Sequence, residues 1–152
     1  MRLLISAVIA ALSATPALAC DVTRVDGIEI EHAWSRASIG TDRPGVVYLT
    51  IRNTGAADDV LTGITTPAAD MPMLHETVVT DGIASMPHVM SVPVPAGGTI
   101  ALEPGGFHAM LMGLTQVLEQ GATFPVTLTF RDAGAVTVDV EILGLGAKGP
   151  EC

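Results

Sequence analysis

The chain has 152 residues, with seven basic against sixteen acidic side chains and a net charge of −9 when histidine is neutral. That length fits one domain with its own core. The acidic balance argues against nucleic acid or an anionic lipid surface as partner and mildly favours cations or a basic partner patch.

Residues 1–19 read as a signal peptide. Met1-Arg2 gives a positive start, Leu3 to Leu12 an apolar run, and Ala17-Leu18-Ala19 a small-x-small cut site. The run is too short, and too soon followed by Pro16, for a spanning helix. Cleavage after Ala19 leaves a domain of residues 20–152 with Cys20 at its amino terminus. The only other cysteine is Cys152, at the opposite end. In an oxidising compartment such a pair is expected to form a disulfide joining the termini. The rival is lipidation of Cys20, the one route by which this reading puts the chain on a membrane. Leu18-Ala19-Cys20 resembles a lipoprotein cut site, although Ala17 stands where leucine is usual.

Further along, strand signals dominate. Ile28 to Trp34, Val46 to Arg52, Val60 to Thr65, Thr99 to Leu102, Phe124 to Phe130 and Val136 to Ile142 are short runs rich in Val, Ile, Leu and Thr. Asn53-Thr54-Gly55, Asp81-Gly82, Pro95-Ala96-Gly97-Gly98, Pro104-Gly105-Gly106 and Asp132-Ala133-Gly134 supply turns between them. No segment after residue 19 offers three amphipathic helical turns. Seven to nine strands at intervals of about ten residues indicate an all-β domain, an antiparallel sandwich or Greek-key barrel without significant helix.

The chemistry lies in four residues: His75, then ten residues, Met86, then twenty-one residues, His108, then one residue, Met110. Thioether sulfur is a soft, neutral donor suited to Cu(I), whereas zinc, magnesium or calcium sites recruit thiolates or carboxylates. His108 and Met110 are two apart, so an extended strand from Phe107 to Leu111 sends both side chains to one face. His75 and Met86 flank a predicted hairpin whose turn contains Thr80-Asp81-Gly82. An even-numbered loop pairs His75 with Met86, or with His88 if Asp81-Gly82 is a tight two-residue turn. Both registers put Met73, His75, Met86 and His88 on one face. A three-residue loop would send Met86 to the other side. Spacing alone does not choose between Met86 and His88 as ligand. Met71, Met73, Met90 and Met112 read first as packing or rim residues. Neither cysteine is near these residues in sequence, which argues against a blue-copper electron carrier.

The segments His32-Ala33-Trp34-Ser35-Arg36, Tyr48-Leu49-Thr50-Ile51-Arg52-Asn53, His75-Glu76-Thr77, and Leu102-Glu103-Pro104-Gly105-Gly106-Phe107-His108-Ala109-Met110-Leu111-Met112-Gly113-Leu114 together resemble the periplasmic copper chaperones called PCu(A)C. The likeness extends over nearly all of residues 20–152. It implies a cupredoxin-like sandwich in the periplasm that holds one Cu(I) through His75, Met86, His108 and Met110. It also implies delivery to the binuclear copper centre of cytochrome c oxidase, directly or by way of a Sco-type thiol protein. His88 and Met73 then become auxiliary groups. The carboxyl-terminal tail from Gly144 to Cys152 lacks histidine and methionine, so a tail-borne second copper site of the kind some members carry is not expected.

Two other classes are compatible with the sequence. A structural or adhesion-type sandwich would need no metal. An enzyme is the remoter case, because no nucleophile elbow, phosphate loop or paired carboxylates are visible.

Overall fold

Where branched apolar side chains alternate with polar ones, extended backbone sends the apolar set to one face and so lets it be buried. The computed structural model describes residues 20–152, and the signal peptide expected at 1–19 lies outside them. The strands are β1 (Thr23–Val25), β2 (Ile28–Arg36), β3 (Gly45–Asn53), β4 (Asp59–Thr65), β5 (Ala69–Glu76), β6 (Val78–Thr80), β7 (Ile83–Ser85), β8 (Val92–Val94), β9 (Thr99–Leu102), β10 (Phe107–Leu114), β11 (Thr123–Phe130) and β12 (Gly134–Leu143). No helix occurs among the described residues. The six expected runs are β2, β3, β4, β9, β11 and β12, and the conditional strand after Gly106 is β10.

One curled sheet takes the order β5-β10-β9-β3-β2-β12-β11-β4-β8, with β1 added beside β2 and β10 also pairing with β3. The hairpin β6-β7 forms a separate two-stranded ribbon. Antiparallel pairing dominates, but β12 runs parallel to β2 and β9 parallel to β10. Neither pair is joined by a hairpin, so nothing forces the two directions to oppose. Inside the curl lie Val47, Leu49, Ile51, Leu111, Val126 and Leu128, all essentially removed from water.

A bulge re-aims β2. Its register against β3 shifts between Glu31 and Trp34, and His32 takes the positive φ of 55° that absorbs the extra residue. Ala33 then joins the core while Trp34 turns to the other face. There it packs on Tyr48 with ring centroids 4.7 Å apart, and the Arg36 guanidinium lies over both rings at 5.7 and 5.8 Å.

Two further devices hold the ends of the sheet. The buried Asp59 carboxylate accepts the N–H groups of Val60 at 2.7 Å and of Asp132 and Ala133 at 3.0 Å, pinning β4 to the β11-β12 turn. Burial alone would raise its pKa, but these three donors and the Arg131 charge together hold it below the ordinary value. Cys20 and Cys152 are disulfide-bonded, with Cα atoms 5.7 Å apart.

Candidate metal centre

β5 and β10 pair so that His75 faces His108 and Met73 faces Met110. The alternate residues Leu74, Ala109 and Leu111 point into the core, so the imidazoles and thioethers occupy the opposite, outer face. The two rings are stacked, with centroids 5.8 Å apart and planes inclined by 27°. Although on the outer face, His108 is only 4% exposed.

The hairpin that follows β5 turns through two residues, Asp81 with φ 52° and Gly82 with φ 77°. Both conformations are left-handed, as the tight turn matched to strand twist requires. Thr80 then pairs with Ile83 and Val78 with Ser85. The same register carried back brings His75 opposite His88, where an isolated bridge forms. Between the two alternatives left by spacing, the backbone therefore takes the two-residue turn. Met86 lies opposite Thr77 in that register and shares a face with His75 and His88. Three imidazoles thus stand in a row, His88, His75 and His108, with neighbouring centroids 5.9 and 5.8 Å apart.

Hydrogen bonds to backbone carbonyls fix how the rings are presented. His75 Nδ1 donates to the Met86 carbonyl at 2.9 Å, and His108 Nδ1 to the Gly106 carbonyl at 3.1 Å. A carbonyl can only accept, so each Nδ1 carries a proton, and in the neutral ring Nε2 keeps its lone pair. His75 Nε2 is buried and has no hydrogen-bond partner. A buried acceptor without a donor is costly unless something else satisfies it. Ligating histidines commonly show this arrangement, with one nitrogen tied to a carbonyl and the other free for a metal.

The donor set fits a soft ion. Among the described residues no three His, Cys, Asp or Glu side chains are placed to hold one metal ion together, and both cysteines are consumed in the disulfide. The sulfur on this face is all thioether: Met110 and Met73 are half-buried, and Met86 is 52% exposed at the rim. His88 is exposed beside them. The structure therefore brings His75, His108, Met110, Met73, Met86 and His88 to one face. The carbonyls of Met86 and Gly106, which hold the rings, left no mark in residue spacing.

Residues 28–142 match the model of the LpqE-like family. A stretch of 120 residues is 38% identical to a protein of Leifsonia xyli subsp. xyli named as a lipoprotein, covering 78% of this chain and 71% of that one. The solution structure of Cu(I)-DR1885 from Deinococcus radiodurans is 32% identical over 80% of each chain, with a TM-score of 0.62. The copper-bound PCuAC domain from PmoF2 superposes with a TM-score of 0.70 over 82% of this chain and 98% of that domain, at 23% identity, a likeness of fold.

Proposed function

The chain belongs to the LpqE-like family, whose fold is that of PCuAC domains, and from that premise we propose that it is a copper chaperone carrying one Cu(I) on His75, Met86, His108 and Met110. The observation that carries the reading is the buried, partnerless Nε2 of His75 directly across the strand pair from His108. Two lone-pair nitrogens and soft sulfurs on one face suit a cuprous ion better than any harder cation. Cu(I) binding by the 32% identical DR1885 supports the choice of ion.

The ligands suit carriage rather than permanent tenure. Four neutral donors leave the ion its full positive charge, so an acceptor offering thiolate binds it more tightly and transfer runs downhill. Thioethers also escape the disulfide formation that disables paired thiols outside the cytoplasm, although sulfoxide formation remains a hazard. The acceptor proposed is the copper subunit of cytochrome c oxidase or a Sco-type thiol protein in the periplasm. The lipoprotein name of the Leifsonia relative supports export of this chain as well. The role is delivery, not catalysis.

X-ray absorption of the Cu(I)-loaded protein tests the proposal. One equivalent of copper should survive desalting and show sulfur and nitrogen in similar number around the metal. Loss of copper on desalting would favour a metal-free structural sandwich, and a shell of nitrogen and oxygen alone would remove the methionines from the site.

A further inference from the structure

β5 and β10 continue past the imidazole pair in unbroken register. Met110 faces Met73, and one step further Met112 faces Met71. Leu111, between Met110 and Met112, is fully buried in the core, so all four methionines leave the outer face. Side chains directly opposite in such a pair have Cβ atoms about 4.5–5.5 Å apart, and diagonal neighbours are still within reach of long side chains. Methionine adds three rotatable bonds. The sulfurs of Met71, Met73 and Met112 can therefore meet at one point without backbone movement.

Packing does not account for these residues. Met71 is 56% exposed, Met73 and Met112 are half-buried, and none of the three belongs to either buried cluster. On a partly wet surface a thioether offers nothing to packing that leucine would not.

We propose that Met71, Met73 and Met112 form a second, weaker site for a soft monovalent ion, Cu(I), roughly 10 Å along the strands from the His75–His108 pair. Three neutral thioethers hold a closed-shell monovalent ion by softness alone and reject harder divalent ions. Met73 stands opposite Met110, so the two sites adjoin and an ion taken up at the outer one has a sulfur path inward. The site is a loading station on the same face as the delivery site. It stands on the thioether register and does not require the imidazoles.

Silver(I), with the charge and donor preference of Cu(I) but no accessible redox step, is the probe, titrated into protein labelled at the methionine methyl carbons. The first equivalent should shift Met86 and Met110, and the second should shift Met71, Met73 and Met112 together. Met90, 79% exposed and outside the ladder, should stay put in both stages. The double variant Met71→Leu/Met112→Leu keeps side-chain volume and should retain the first stage while losing the second. Met71 and Met112 signals that move no more than Met90 at excess silver overturn the inference, as does a double variant that still binds both equivalents. Native protein showing the thioether stage without the imidazole stage overturns the function proposed above and leaves this inference standing. The reverse result overturns this inference alone.

Discussion

His75 and His108 stand opposite one another across β5 and β10, stacked with centroids 5.8 Å apart, each holding its Nδ1 proton on a backbone carbonyl. The rings are thus oriented before any ion arrives, and the ordering cost is met in folding rather than in binding. Replacing either by alanine should lower Cu(I) affinity by more than about 100-fold, equivalent to about 2.7 kcal/mol. The metal-free fold should persist, because neither histidine belongs to a buried apolar cluster and each gives up only one hydrogen bond to a backbone carbonyl. Competition against a chromophoric Cu(I) chelator, with thermal melting of the apo-protein alongside, reads both quantities.

Gly82 acts on the centre from a distance. Its φ of 77° in the two-residue turn is what fixes the register that places Met86 and His88 on the face of His75. A valine there pays the left-handed penalty of about 1–2 kcal/mol. The ribbon β6-β7 is outside the main sheet, so global unfolding should barely change. Copper release to a chelator, followed by stopped flow, should accelerate by about tenfold as the rim loosens. Unchanged release would mean that the hairpin does not help to hold the ion.

Asp59 makes the stability of the fold depend on pH. Its carboxylate is held below the ordinary value of 3.8, so the folded state favours the ionised form. That contribution is present above the unfolded pKa and disappears as pH falls through the folded one. Asp59→Asn, which keeps shape but not charge, should cost about 1–2 kcal/mol at pH 7. The gap between wild type and variant should close as the medium is taken well below pH 4. Urea unfolding at neutral and acid pH measures it, and a gap constant with pH would show that the charge is immaterial.

The Cys20–Cys152 bond closes a loop with a sequence separation of 132. By the chain-entropy argument its loss in Cys152→Ser should lower stability by about 5 kcal/mol. The sulfur bonded to Cys152 is also the one a lipid would occupy, and one sulfur cannot serve both. Alkylation of the exported protein followed by intact-mass measurement should show no adduct before reduction and two after it. A mass increment of fatty acyl groups on Cys20 would mean that the thioether-linked anchor has taken the place of the bond.

The strands that alternate cleanly, such as β3 and β12, were legible because one face is core and the other is polar. β5 was not, because Met71-Pro72-Met73-Leu74 is apolar on both faces, thioethers outside and leucine within. β8 carries only a weak strand signal because Val92-Pro93-Val94 is three residues long with proline at an edge. The bulge at His32 has no pattern in the sequence, since a single histidine only weakly favours positive φ. At the centre, the spacing of His75, Met86, His108 and Met110 singled out the chemistry. The choice between Met86 and His88 as the residue facing His75 depended on backbone torsions at Asp81 and Gly82, which local sequence biases without deciding.

The outer edge of β5 is already occupied: Val89 donates its N–H to the Leu74 carbonyl at 2.9 Å, Glu76 to the Pro87 carbonyl at 3.2 Å, and a few residues on the chain pairs with β4 as β8. A visiting protein therefore finds no free row of amides beside the histidines on which to lay a strand of its own. Recognition has to come from above the sheet, by side chains meeting side chains over the exposed Met86, so specificity rests on the shape and charge of that small platform rather than on backbone pairing.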